Sequence, residues 1–204
     1  MSAIGISNTD HVVVYDGLGL MSAARIWWMF KTFGHKNVSI LNGGVPAWHA
    51  FGGELTTEAP AHAPGTYRTH LDGSQVASWQ DVAASVNDKT SQILDARSAD
   101  RFKGLAPEPR KGLKGGHITG SNNLPFQKLL GDNGVLSPHA DLRAAFVDAG
   151  IDLSKPVITS CGSGVTAAIL TLGLDELGHT DNRVYDGSWA EWGLRDETTY
   201  MIET

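Results

Sequence analysis

A chain of 204 residues, 41% of them apolar, can build one large or two modest domains with a buried core. Its formal charge of −6 comes from interspersed acids and bases, and no basic block suggests binding to nucleic acid or to an anionic membrane. One cysteine excludes an internal disulfide and a cysteine-rich metal site. No apolar run approaches membrane-spanning length, and Met1 to Gly5 lack the pattern of a secretory signal. The expectation is a soluble protein of a reducing, cytoplasmic compartment.

In chain order, Val12-Val13-Val14-Tyr15 reads as a buried strand and Asp16 to Gly19 as a turn. Ser22 to Phe33 reads as a helix stopped by Gly34, and Val38 to Leu41 as a second strand ending at Asn42-Gly43-Gly44. A short helical piece at 46–50 follows. From 54 to 74 the chain is rich in Thr, Ala, Pro, Gly and His without periodicity, which suits a linker. Ser78, with Asp81 three residues on, starts another helix. Gln92 to Asp95 is a strand leading to Arg97 and Arg101. A loop rich in Gly, Pro and Lys spans 104–116, Ser121 to Leu124 is a short strand, and Ser137-Pro138 opens a helix to Gly150. A strand at Val184-Tyr185 and a helical stretch at Trp189 to Trp192 close the pattern. Strands alternating with helices predict an α/β fold with a mainly parallel sheet.

The chain is organised around residues 157–167, where a β-branched run ends in Cys161, glycines follow at 162 and 164, and a helix-forming run begins. Unpaired N–H groups and the positive end of a helix dipole at such a turn favour the thiolate, the reactive form of cysteine. The same pattern occurs twice. Val12 to Trp48 matches Val157 to Trp192. Asp16-Gly17 falls on Cys161-Gly162, Gly34-His35 on Gly178-His179, Asn42-Gly43 on Asp186-Gly187 and Trp48 on Trp192, with one extra residue in the first loop. The residue at the cysteine position of the first copy is Asp16, which has no thiol.

Cys161-Gly162-Ser163-Gly164-Val165-Thr166-Ala167 resembles the active-site loop of 3-mercaptopyruvate sulfurtransferases, in the rhodanese superfamily, and the resemblance covers nearly the whole chain. It implies a rhodanese-like parallel sheet flanked by helices: a partial, non-catalytic domain at 1–55, a linker at 56–75 and a catalytic domain at 76–204. The eighty residues 75–154 precede the cysteine strand, whereas eleven precede Val12. The front half of the first domain is therefore expected to be missing, leaving apolar surface that favours self-association. With it would go the His and Asp that the family uses to complete a proton relay with the loop serine.

The chemistry expected is nucleophilic attack by Cys161 on the donor sulfur, a persulfide held by the N–H groups of Gly162, Ser163, Gly164, Val165 and Thr166, and proton transfer through Ser163. Gly162 and Ser163 are neutral where thiosulfate-specific relatives carry basic residues, which suits a carboxylate-bearing thiol. Arg101 and Arg110 match the family's substrate-binding positions, and a guanidinium fork fits a carboxylate. Arg97 is expected to form an ion pair with Asp95, and His117 to bond backbone. The remaining histidines show no ligand spacing, so neither a metal nor an organic cofactor is expected. The tryptophans Trp27, Trp28, Trp48, Trp189 and Trp192 read as packing residues. The partners implied are 3-mercaptopyruvate as sulfur donor and a thiol acceptor such as a thioredoxin-like protein, or cyanide. Alternatives are a thiosulfate sulfurtransferase, an inactive sulfur-binding or interaction module, and a cysteine phosphatase. The last needs Arg six residues after the cysteine, where this chain has Ala167.

Overall fold

In the computed structural model, which describes residues 1–196, 198 and 201–204, the predicted repeat is a repeat in space. The first copy runs through β1 (Val12–Val14), α1 (Ala23–Thr32), β2 (Val38–Ile40) and α2 (Gly44–Ala50). Next come β3 (Val76–Ala77), α3 (Trp79–Asp88), β4 (Gln92–Asp95), the single turn α4 (Ala99–Phe102), the short strands β5 (His117–Ile118) and β6 (Asn122–Asn123), and α5 (His139–Asp148). The second copy is β7 (Val157–Ser160), α6 (Ala167–Glu176), β8 (Asn182–Tyr185) and α7 (Ser188–Trp192). Finally β9 (Ile202–Glu203) pairs antiparallel with β5.

The two copies agree in strand register and in the bonds that close each helix. Val12 stands opposite Val38 in the parallel pair β1–β2, and Val157 opposite Asn182 in β7–β8. The N–H of His35 donates to the Phe30 carbonyl at the end of α1, and that of His179 to the Leu174 carbonyl at the end of α6. Nε2 of His35 then bonds the Asp10 carbonyl, and Nε2 of His179 the Lys155 carbonyl, each two residues before its strand. The matching histidines thus tie a helix end back to the entry of the strand that precedes the helix.

The main sheet has five parallel strands in the order β3-β8-β7-β4-β6, with β7 in the middle. A strand covered on both faces needs an apolar run rather than alternation. All four β7 residues are buried; of the two hydroxyls among them, Thr159 Oγ1 is paired with Thr171 Oγ1 at 2.9 Å, while Ser160 Oγ has no partner among the described residues. The C-terminal end of a central parallel strand is where open α/β sheets place their sites, and Cys161 follows there.

One core joins both copies. Leu20, Ala24, Trp27 and Trp28 from the first pack with Ala167, Leu170 and Leu174 of α6. The other face of β1–β2 is open: Val13 is 51% exposed, while its counterpart Ile158 is fully buried under the layer that includes Val82 and Val86 of α3.

The predicted elements are present, with two corrections. The segment expected to be a linker has no regular structure at 54–72, but its second half is tied down. Gly65 and Tyr67 donate to Ser2, Asn8 and Arg68 bond reciprocally, and His70 and Asp72 donate to the carbonyls of Phe33 and Thr32. Trp48, read as a packing residue, is 43% exposed with its indole N–H on the Glu54 carbonyl, whereas Trp27, Trp28, Trp189 and Trp192 are buried. The difference follows from the uncovered strand face on which α2 lies.

Candidate active site

Residues 161–166 bridge the end of β7 and the start of α6. Cys161 is a free thiol, 1% exposed. Its carbonyl accepts from the Trp189 N–H at 2.9 Å, and the Gly162 carbonyl from the Ala190 N–H at 3.0 Å. In a trans peptide the C=O and the following N–H point to opposite sides. With both carbonyls turned toward α7, the N–H groups of Gly162 and Ser163 face the other way, and the Ser163 N–H lies 3.4 Å from Cys161 Sγ. The Cys161 N–H itself donates to Ser188 Oγ at 3.1 Å, and that hydroxyl donates to the Tyr185 carbonyl at 2.8 Å. Ser188 is fully buried and holds φ 49°, left-handed backbone that a non-glycine residue adopts at a cost of about 1–3 kcal/mol. Its counterpart in the first copy is Gly44, at φ 55°.

The first copy shows what this loop does to an anion. Asp16 occupies the nucleophile position, and its Oδ2 accepts N–H bonds from Met21, Ser22 and Ala23 at 2.7–2.9 Å, while Leu18 donates to Oδ1 at 2.8 Å. Burial alone would raise this carboxyl. The bonds from Ala23, Leu18, Ser22 and Met21 outweigh burial and hold it below the ordinary carboxylate range. By the repeat, the four donors correspond to Val165, Thr166, Ala167 and Ser163. In the second copy the N–H groups of Val165, Thr166 and Ala167 have no acceptor among the described residues. A carboxylate oxygen lies two bonds beyond Cβ, and so would the outer sulfur of a Cys161 persulfide. The loop is thus an anion cradle, filled by Asp16 in one copy and without an acceptor among the described residues beside Cys161 in the other.

Arg101 lies against this cradle, since a Cβ added at Gly162 would stand 2.7 Å from its Nη2. Its Nε and Nη2 bind the two carboxylate oxygens of Glu108 at 3.1 and 2.6 Å. Glu108, with its side chain 2% exposed, also accepts from Arg97 Nη1 at 2.9 Å. Arg97 in turn binds Asp95 at 2.7 Å and the Gly116 carbonyl, and lies 4.4 Å over the Trp189 ring. The expected Arg97–Asp95 pair is therefore part of a buried chain of alternating charges, Asp95–Arg97–Glu108–Arg101, that ends at the loop. Nη1 of Arg101 has no partner among the described residues.

The structure brings Cys161, Gly162, Ser163, Gly164, Val165, Thr166 and Arg101 together. Ser163 is half-buried beside the sulfur, and its hydroxyl makes no hydrogen bond among the described residues. Arg110 stands exposed on the loop after α4, without an ion pair among the described residues. His117 stacks on Phe102 at 3.7 Å and bonds its carbonyl, as expected of a structural residue. Sequence reasoning missed Glu108 and Ser188. Ser188 carried a signal, because the repeat aligns it with a glycine. Glu108 carried none, because its role depends on which loop folds over it.

The rhodanese-like domain family matches residues 2–51 and 78–195. Thiosulfate/3-mercaptopyruvate sulfurtransferase 1, mitochondrial, of Arabidopsis thaliana is 43% identical over 217 residues, covering 96% of this chain and 57% of its own length. The 3-mercaptopyruvate sulfurtransferase of Rattus norvegicus is 40% identical over 202 residues, covering 98% of this chain and 68% of the rat protein. The chain thus spans little more than half the length of the plant relative. Among solved structures, the 3-mercaptopyruvate sulfotransferase SseA from Escherichia coli superposes with a TM-score of 0.81 at 38% identity, over 92% of this chain and 71% of that one.

Proposed function

The chain belongs to the family of rhodanese-like domains, and on that premise we propose that it is a sulfurtransferase that moves sulfur from 3-mercaptopyruvate through a Cys161 persulfide to a thiol or cyanide. The observation that carries this reading is the cradle beside Cys161: three N–H groups without acceptors among the described residues stand where the Asp16 copy binds an anionic oxygen.

In the first half-reaction the Cys161 thiolate attacks the donor's thiol sulfur. An S–S bond forms, the donor's C–S bond breaks, and its electron pair leaves on the enolate of pyruvate. The thiol proton stays on the outer sulfur or passes through the Ser163 hydroxyl to the enolate carbon, which gives pyruvate. The N–H groups of Ser163, Val165, Thr166 and Ala167 then stabilise the persulfide anion, as aligned amides do for developing charge. Arg101 offers its unengaged Nη1 to the donor carboxylate, and Arg110 is assigned to the same anion. In the second half-reaction an acceptor thiolate, of a thioredoxin-like protein or a small thiol, takes the outer sulfur and Cys161 leaves as thiolate.

This reading assigns catalysis to residues 76–204, with 56–75 as connector and 1–55 as a unit without a nucleophile. Self-association through the uncovered face of β1–β2 is part of the same proposal. Thiosulfate transfer is the second reading, favoured by the plant relative's double name. The neutral Gly162 and Ser163 argue for the monoanionic donor.

Intact mass after adding 3-mercaptopyruvate, with thiosulfate in parallel and Cys161→Ser as control, tests it. The expected result is a gain of one sulfur on the unmodified chain only, faster from 3-mercaptopyruvate. No gain from either donor on folded protein overturns the reading and leaves a binding module.

A further inference from the structure

Arg25 belongs to α1, in the unit without a nucleophile, yet its guanidinium reaches the cysteine loop of the second copy. Nη1 donates to the Gly164 carbonyl at 3.4 Å and forms an ion pair with Asp186 Oδ1. The guanidinium is packed 4.6 Å over the Trp28 ring, which fixes its direction, and the side chain is only 21% exposed. The site has no room for a side chain at position 164 of the loop. Gly164 holds φ 79°, and a Cβ there would stand 2.7 Å from the Asp186 carbonyl oxygen, 2.8 Å from its carboxylate and 3.0 Å from Arg25 Nη1. No equivalent exists in the first copy, since the repeat places Ile169 at this position.

Arg25 completes a pattern. The carbonyls of Cys161 and Gly162 are held by the N–H groups of Trp189 and Ala190, and that of Gly164 is held by Arg25. By the planarity of the peptide, a Gly164 carbonyl turned toward Arg25 turns the Val165 N–H away from Arg25. The first copy turns the matching Met21 N–H onto Asp16.

We infer that Arg25 is a positioning residue for the Cys161 loop, so that the nucleophile-free unit supplies part of the active-site geometry of the other. The inference rests on the sulfurtransferase reading for its substrate, but its geometric content does not depend on the donor.

The test measures Cys161 persulfide formation under single-turnover conditions across 3-mercaptopyruvate concentrations, and separately the rate of Cys161 alkylation by iodoacetamide. Arg25→Met is expected to lower the saturating rate about tenfold, less than the hundredfold or more lost when a whole oxyanion donor is removed. The half-saturating concentration should change little, alkylation should slow as well, and Arg25→Lys should restore part of the rate. Asp186→Asn should act in the same direction without adding to Arg25→Met, as expected of residues in one network. Asp186 is 47% exposed in its side chain, so this variant decides the matter if Arg25→Met does not fold. Wild-type rates in the folded Arg25 and Asp186 variants, with only the melting temperature lowered, overturn the inference. If the unmodified chain takes no sulfur while the variants still slow alkylation, the sulfurtransferase reading fails and the positioning role stands.

Discussion

Asp16 and Cys161 occupy one place in two copies of the loop, which is one residue longer in the first, and the two side chains differ in what they can hold there. A carboxylate fills its own cradle permanently; a thiol leaves the cradle free for whatever anion the sulfur acquires. In the proposed reaction the neutral loop admits the donor, and Arg101, beside Gly162, is the residue placed to bind its carboxylate. Its hydrogen-bond partner Glu108 lies buried between two guanidinium groups, so Arg101 is aimed by a rigid neighbour rather than by solvent. Nη1 of Arg101 has no partner among the described residues, and a charge-assisted hydrogen bond from it to the proposed donor would be worth about 1.5–3 kcal/mol. Arg101→Ala is therefore expected to raise the half-saturating concentration of 3-mercaptopyruvate about tenfold to a hundredfold. The saturating rate of Cys161 labelling should fall less, which separates donor binding from loop chemistry. Equal loss in both quantities would show that Arg101 acts on the loop instead.

At the scale of elements, each loop is also a helix start. Met21, Ser22 and Ala23 present the N–H groups that open α1, and Asp16 accepts all three. Asp16 thus serves α1 as an N-cap does, although it lies seven residues before Ala23. Asp16→Ala is expected to cost about 1–2 kcal/mol, the upper part of the range for a lost cap, read by chemical denaturation. The pH dependence follows from the lowered carboxyl. A group lowered on folding contributes stability that is fully present above its unfolded value, ordinarily 3.8, and is lost as pH falls through its folded value. Acid unfolding followed by circular dichroism should therefore show the Asp16→Asn variant losing less stability than the wild type below about pH 4. A cap of ordinary geometry holds α3, where Ser78 and Asp81 bond reciprocally.

At the scale of the whole molecule, α1 and α6 share one core, so the two copies cannot unfold independently at little cost. Trp27 and Trp28 are 5% and 4% exposed within it, Lys31 lies over Trp27 and reaches Asp175 at 2.7 Å, and Arg25 reaches Asp186. Trp28→Ala should cost about 3–5 kcal/mol, as large-to-small changes of a buried aromatic do. Because Trp28 also carries the Arg25 guanidinium, the same variant should slow Cys161 labelling while still folded. One cooperative transition in calorimetry is expected for the wild type; two separate transitions would contradict the shared core. The opposite face of β1–β2 behaves differently, with Val13 51% and Tyr15 60% exposed.

The amino-acid sequence alone determined the repeat, the strand–loop–helix around Cys161, the cap of α3 and the structural part of Arg97 and His117. Each depends on neighbours in the chain or on a short local pattern: β-branched runs, glycines at turns, a Ser and an Asp three residues apart. It also pointed to Arg101, through a motif and not through geometry. Only the tertiary structure decided that Glu108 aims Arg101, that Ser188 holds the Cys161 N–H and that Arg25 crosses from one copy to the other. The same holds for the second half of the expected linker, which is pinned against α1 and the N-terminal turn, and for Trp48, which is exposed. The physical reason is common to all five. Burial and hydrogen-bond partnership belong to surfaces that meet across many residues of chain, and no local period or propensity records which surfaces those are.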